Sequence, residues 1–254
     1  MTPVRVVTAN IQAGLSATGQ PTSEAELAAA FTGVEADVVA LQEVDRHLPR
    51  SGYQDQVAII AQALDLPHYH YAAALAGDLD NVRMQADPIG DHPGPAYGIA
   101  LATRYPVLAW FTTRMPRLIK GFPVLRRGRP TWWAHEPRVG LAAVLAGPSG
   151  PFAVANTHLS LLSGVARRQL RTLLGKVGDL RHRAVVCGDF NLPAPTVAGM
   201  ATGWQAPAGL TFPAHWPEQQ IDHILVRGGT AENTSAPRLP ISDHRALITE
   251  VRWT

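Results

Sequence analysis

The chain has 254 residues, 22 Lys+Arg against 20 Asp+Glu, a formal net charge of +2, and 46% hydrophobic with 17% charged side chains. This excludes an intrinsically disordered chain, which combines low hydrophobicity with high net charge. One cysteine, Cys187, excludes an internal disulfide and a cysteine-rich zinc site, and no apolar run approaches the ~18 residues of a membrane-spanning helix.

The opening MTPVRVVTAN runs straight into a strand, Val4–Asn10, without the basic-then-apolar pattern of a signal peptide. A cytoplasmic location is therefore the expectation. Ser23 and Glu26 have the spacing of a capping box, and Leu27, Ala30, Phe31 and Val34 follow at helical intervals. Asp37–Val44 is a buried-strand run, Gln54–Leu64 reads as a helix, and residues 77–96, rich in Gly, Pro and Asp, as a long loop. Tyr97–Thr103 is strand-like. Val139–Ala146 and Phe152–Leu159 form a hairpin through the turn GPSGP. A basic helix, Ser163–Leu180, precedes the strands Ala184–Phe190, Ile221–Arg227 and Arg245–Trp253. The order predicts an α/β protein with helices outside its sheets.

Polar residues recur where these strands end. Asn10 ends the first, and Glu43 lies near the end of the second. Asn156 and His158 close VANTHLS, Asp189 and Asn191 close VVCGDFN, Asp222 and His223 interrupt IDHILV, and Asp243 and His244 precede the last strand in SDH. Singly, each is an ordinary capping or surface residue. Together they make an oxygen-rich set with few histidines, which suits Mg²⁺ or Mn²⁺, with Ca²⁺ also compatible; zinc would want more nitrogen or sulfur. A hard cation, two imidazoles and a spare carboxylate are what hydrolysis of a phosphate ester requires.

TANI, LQEV, YGIALATRYP, NTHLS, GDFN, IDHILV and SDH, in this order from residue 8 to residue 244, resemble the endonuclease/exonuclease/phosphatase superfamily of metal-dependent phosphoesterases. The resemblance implies one catalytic domain over residues 1–254 and a four-layer α/β sandwich, two mixed β-sheets face to face flanked by helices. It implies Glu43 as principal metal ligand with Asn10 beside it and Asp243 near the metal. Asp189 would orient or deprotonate water, Asn191 would help position it, and His158 and His244 would donate to phosphoryl oxygens. Asp222 would hold one tautomer of His244, and Asn156 would support the site. His158, where the abasic-site repair branch has a tyrosine, resembles the branch of pancreatic-type deoxyribonucleases, neutral sphingomyelinases, deadenylases and inositol-phosphate phosphatases. The expected activity is a metal-dependent phosphodiesterase, a nuclease with DNA slightly ahead of RNA. A sphingomyelinase- or inositide-type enzyme and an inactive binding module are the alternatives. No protein partner is implied, and a monomer is expected.

Residues 1–100 carry 4 basic and 12 acidic side chains, a balance of −8; residues 101–254 carry 18 and 8, a balance of +10. Twenty of the 22 cations are Arg, which suits phosphate recognition but also follows from GC-rich coding, the preferred explanation. Residues 110–133, WFTTRMPRLIKGFPVLRRGRPTWW, interleave cations with aromatics. Arg126, Arg127, Arg129 and Trp132 are candidate substrate contacts, toward nucleic acid or an anionic membrane surface; a loop covering a sheet edge is the plain alternative. His223 is expected to pack, Cys187 to be an inert core thiol, and the basic helix to present a solvated face. His68 and His70 share a strand face if extended, but no third ligand accompanies them.

Overall fold

The computed structural model describes residues 2–16, 18–77, 94–117, 122–126, 129–133 and 136–254, with 122–126 and 129–133 as backbone alone. One sheet is built from β1 (Val4–Asn10), β2 (Val38–Arg46), β3 (His68–Ala76), β4 (Ala96–Thr103), β12 (Gly229–Ser235) and β13 (Leu247–Trp253), in the order β12-β13-β1-β2-β4-β3. The second contains β5 (Val107–Arg114), β8 (Val139–Gly147), β9 (Gly150–His158), β10 (Ala184–Asp189) and β11 (Asp222–Arg227), in the order β11-β10-β9-β8-β5. Both are mixed: β1 and β2 run parallel, as do β9 and β10, and the other pairs are antiparallel. β6 (Phe122–Arg126) and β7 (Arg129–Trp133) form a separate hairpin.

Three apolar clusters define the layers. Val4, Val6, Val38 and Leu101 of the first sheet pack against Leu141, Phe152, Val154 and Val185 of the second. On the first sheet's other face, Val7, Val39 and Leu41 meet Leu27 of α1 (Glu24–Ala29) and Val57 and Ile60 of α2 (Gln56–Ala63). Ala153, Ala155 and Val186 of the second sheet meet Leu170, Leu173 and Val177 of α3 (Ser163–Leu180) and Val197 of α4 (Ala194–Met200). This is the expected sandwich of sheets flanked by helices. Because the central strands are covered on both faces, they read in sequence as continuous apolar runs instead of alternating ones.

Local expectations hold where side chains decide the geometry. The capping box forms: the Ser23 hydroxyl accepts from the Glu26 amide at 3.3 Å, and the Glu26 carboxylate accepts from the Ser23 amide at 2.8 Å. The helix predicted from Gln54 starts at Gln56, because Asp55 takes the cap position and accepts from the Ala58 amide at 3.2 Å. Arg167, Arg168, Arg171 and Lys176 lie exposed along α3, opposite Ala166, Leu170, Leu173 and Val177. The plain loop reading of residues 110–133 is corrected in part. Trp110–Arg114 belong to β5 and pair with β8, and Arg126, Arg129 and Trp132 fall in the β6–β7 hairpin, with Arg126 opposite Arg129. Arg127, and residues 78–93 of the predicted loop, lie outside the described residues, as do the side chains of Arg126, Arg129 and Trp132. No described helix is long and apolar enough to cross a membrane.

Candidate active site

Strand register brings the second sheet's candidate residues together. Asp189 ends β10 directly opposite His158 on β9 and opposite Asp222 on β11, so three polar residues from distant sequence positions stand abreast. Gly188 permits this. Its φ is +135°, and a Cβ there would lie 1.9 Å from the Thr157 carbonyl oxygen, so any other residue would push β10 off β9.

The facing sheet supplies Asn10 and Glu43. The pairing of β2 with β4 shifts register between Leu41 and Val44, and inside that irregularity Glu43 adopts φ 54°, which turns its side chain out of the regular pleat. Asn10 Nδ2 donates to Glu43 Oε1 at 3.0 Å and to Asp189 Oδ2 at 3.0 Å, bridging the two sheets. His158 Nε2 lies 3.4 Å from Asp189 Oδ2. His244, from the loop before β13, places Nδ1 2.9 Å from Asp222 Oδ2 and Nε2 4.0 Å from Asp189 Oδ2. Ser242 shapes that loop: its hydroxyl donates to the Asn10 carbonyl at 2.7 Å and accepts from the His244 amide at 3.1 Å. The Phe212 ring packs on His244, centroids 4.9 Å apart.

Burial and charge set the protonation states. Burial, reinforced by Asp222, pushes the Asp189 carboxyl up to about 7, against the nearby His244 and the hydrogen bonds from Asn10 and Asn191. For His244 burial opposes the charged form, but the Asp222 hydrogen bond and the charges of Asp222, Asp189 and Asp243 outweigh it and raise the imidazole to about 9. His158 moves the other way: burial, then the charges of Arg138 and His244, hold it well below the usual histidine range. The two imidazoles thus differ, one kept charged and one kept neutral.

The remaining expectations sort by contact. The Asn191 amide nitrogen of the side chain donates to the Leu159 carbonyl at 3.0 Å, and its backbone N–H donates to Asp189 Oδ1 at 3.0 Å, so it braces Asp189. Asp243 is half exposed, with Oδ1 4.0 Å from His244 Nε2. Asn156 is fully buried between the sheets, donating to the Leu41 and Ala100 carbonyls at 2.8 Å each and accepting from Gln42 Nε2 at 2.7 Å. His223 points away, bonded to the Leu192 carbonyl at 2.8 Å and stacked on Phe190. His70 stacks on Trp110 and His68 is exposed.

Sequence reading missed the charged wall beside Glu43. Arg138, 7% exposed, lies 3.4 Å from Glu136, and its Nε has no hydrogen-bond partner among the described residues. Burial raises the Glu136 carboxyl, opposed by Arg138 and reinforced by Glu43. Arg50 grips the fully buried Asp45 with bonds of 2.8 and 2.6 Å and lies over the Tyr97 ring. The available signal was the EPR triplet just ahead of β8, a charge pair at the mouth of an apolar strand.

Among the described residues, Asp189, Asp222 and His244 form a group of metal-ligand types whose donor atoms lie within 4.8 Å of one another. Acids and imidazoles from two facing sheets thus gather in one place, a set of groups of the kind that hydrolases use. The chain belongs to the Endonuclease/Exonuclease/phosphatase family, whose model matches residues 7–244 and whose members are phosphoesterase hydrolases that generally use divalent metals. An endonuclease/exonuclease/phosphatase from Beutenbergia cavernae superposes with a TM-score of 0.73 at 22% identity, over 100% of this chain and 72% of that one. D. rerio TDP2 complexed with single-strand DNA product gives 0.67 at 14% identity, over 99% and 100%. The Bacteroides thetaiotaomicron mannosyl-6-phosphatase Bt3783 gives 0.66 at 14%, over 98% and 100%. At these identities the structures show the shared fold. No curated protein matches the chain.

Proposed function

We propose that this protein is a divalent-metal-dependent phosphodiesterase that cleaves nucleic acid, DNA ahead of RNA. The observation that carries the hydrolytic reading is the continuous contact path Glu43–Asn10–Asp189, with His158 and the His244–Asp222 pair against Asp189. The positive balance of residues 101–254 and the fold shared with TDP2 support the polynucleotide.

The residues fit a hard cation. Four carboxylates converge on one cleft with two imidazoles, one of them held neutral, and the buried Asp222 Oδ1 has no hydrogen-bond partner among the described residues. Buried negative charge of this kind calls for compensation. Glu43 and Asn10 would hold Mg²⁺ or Mn²⁺, with Asp243 nearby; Asp222 and His244 already bond each other. When bound, the ion would neutralise phosphate charge and polarise the P–O bond. Asp189, raised toward neutrality, accepts a proton from the attacking water. His244, held charged by Asp222, donates to a phosphoryl oxygen as negative charge builds there, and neutral His158 offers a second N–H. Asn191 keeps the Asp189 carboxylate aimed.

The test is a substrate panel with each cation supplied: bis(4-nitrophenyl) phosphate, plasmid, single-stranded DNA, RNA, sphingomyelin and inositol and sugar phosphates. Nicking or strand degradation that disappears in Asp189→Ala supports the proposal. Headgroup release from sphingomyelin, or phosphate release from a sugar monoester with DNA untouched, would replace it. The second of those outcomes is the one the fold shared with the mannosyl-6-phosphatase favours.

A further inference from the structure

A cleft of about 390 Å³ opens beside the catalytic residues, between the turn after β1, the loop before β11 and the loop before β13; Gln12, His215, Arg238, Ser242 and Asp243 line it. Its volume lies within the range of small-ligand sites. The bonds that set the active site also set its walls. The Asp243 amide donates to Gln12 Oε1 at 3.1 Å, the Ala214 amide donates to the Asp243 carbonyl at 2.6 Å, and the Ser242 hydroxyl reaches the Asn10 carbonyl. A group lying in it therefore adjoins the phosphate that His244 faces.

The wall away from the catalytic residues carries an unusual pair. Arg238 Nη1 lies 3.2 Å from His215 Nδ1. A guanidinium has no acceptor, so it must donate, and the neutral ring then carries its proton on Nε2. Both residues are exposed, and Arg238 makes no ion pair among the described residues. The pair presents only N–H groups to solvent. Directly after His215, Trp216 is 74% exposed, a ring free to stack on a base.

Resting on the nuclease reading, we propose that this cleft is a subsite for the nucleotide next to the scissile phosphate, its sugar against Gln12 and Asp243 and its outer phosphate on Arg238 and His215. Charge sorts the two ends. The Asp243 carboxylate repels a phosphate and accepts a hydroxyl, and the Arg238–His215 pair does the reverse.

The experiment compares kcat/KM for three dinucleotides: d(TpT), the same with a 5′-terminal phosphate, and the same with a 3′-terminal phosphate. One of the two phosphorylated forms, the one whose phosphate reaches Arg238, is cleaved about tenfold or more better than d(TpT), the value of one charge-assisted contact. Arg238→Ala removes most of that advantage and Arg238→Lys keeps part of it. Arg171→Ala, which deletes an equal charge on the exposed face of α3, keeps it whole. If neither terminal phosphate helps, both help equally, or the advantage survives Arg238→Ala, the subsite is wrong and the nuclease stands. If the protein turns over bis(4-nitrophenyl) phosphate but no dinucleotide and no plasmid, the nucleic-acid reading falls and the subsite with it.

Discussion

Asn156 separates support from chemistry, because it is embedded in the site's foundation without touching a reacting group. Replacing it by Ala removes its two donations, to the Leu41 and Ala100 carbonyls, and its acceptance from Gln42 Nε2. These contacts join β9 of one sheet to β2 and β4 of the other. Each of these three buried hydrogen bonds contributes about 1–1.3 kcal/mol net, so the loss is about 3–4 kcal/mol. Gln42 keeps its bonds to the Thr8 hydroxyl at 3.0 Å and the Ala40 carbonyl at 3.2 Å, which limits the damage on that side. For a chain of this size each kcal/mol shifts Tm by about 2–4 °C, so Asn156→Ala should melt about 6–16 °C lower. The assay pairs thermal unfolding with turnover of bis(4-nitrophenyl) phosphate well below the variant's Tm. Turnover should stay within about fivefold of wild type, since positioning losses are smaller than the loss of an acid or base. A variant that melts within about 2 °C of wild type yet loses about a hundredfold in turnover would refute the reasoning and place Asn156 among the reacting groups.

Asp189→Ala inverts that pattern. Turnover falls by about 10² or more, and Tm holds or rises because a carboxylate disfavoured by burial is gone; turnover within tenfold of wild type would remove Asp189 from the chemistry. Mg²⁺ or Mn²⁺ at a hundred times its Kd stabilises the folded chain by about 2.7 kcal/mol, a rise of about 5–11 °C. Glu43→Gln abolishes most of this rise, and an undiminished rise would move the ion elsewhere, first to Asp189, Asp222 and His244. Cys187 is fully buried, its Sγ 3.5 Å from the Ala155 carbonyl, and burial pushes its thiol well above the usual range. A thiol reagent should therefore label the unfolded chain only, and rapid native labelling would mean that β10 is not enclosed.

Much of this arrangement was legible in the sequence because the fold concentrates its chemistry where apolar strands stop. Asn10, His158 and Asp189 each end a run too apolar to face water, and His244 stands just before one, so a polar residue there has a cleft as its natural destination. The capping box at Ser23 was legible because both partners lie within one turn. Besides the β6–β7 hairpin, three strands of the two main sheets were not. β3 contains AAALA, which lacks β-branched residues, and it lies at the sheet edge, paired with β4 alone. β12, GTAENTS, is a polar edge strand whose pairing is supplied wholly by β13. β5 runs into a stretch whose cations and aromatics draw attention to surface chemistry instead of to pairing with β8. The Glu136–Arg138 and Asp45–Arg50 pairs were also hidden, since their significance lies in proximity to Glu43 and Tyr97, which only the folded chain creates.

The two sheets also explain why the site tolerates strained backbone. Among the described residues nine non-glycine positions have positive φ, and four of them, Gln12, Glu43, Asn191 and Ser242, bond to Asn10 or Asp189 of the candidate site. Each costs about 1–3 kcal/mol and persists only where the surroundings over-determine it. Those surroundings are visible. Gln12 N–H is bonded to Asn10 Oδ1 at 3.0 Å, Asn191 spans from Leu159 to Asp189, and Ser242 bonds both Asn10 and His244. Strain and polar contacts are thus one system: the unusual φ values aim the side chains, and their hydrogen bonds hold the φ values. A one-residue slip of β10 against β9 would turn Asp189 to the other face, break its bond to Asn10 and leave Glu43 without its link to the second sheet. Gly188 lets β10 lie this close to β9, since a Cβ there would meet the Thr157 carbonyl oxygen, so Gly188→Ala should abolish soluble folded protein, whereas Gly164→Ala, at a position with nothing within 4 Å of the added methyl, should not. Recovery of folded, active Gly188→Ala would show that the register of β10 is held by something other than this close approach.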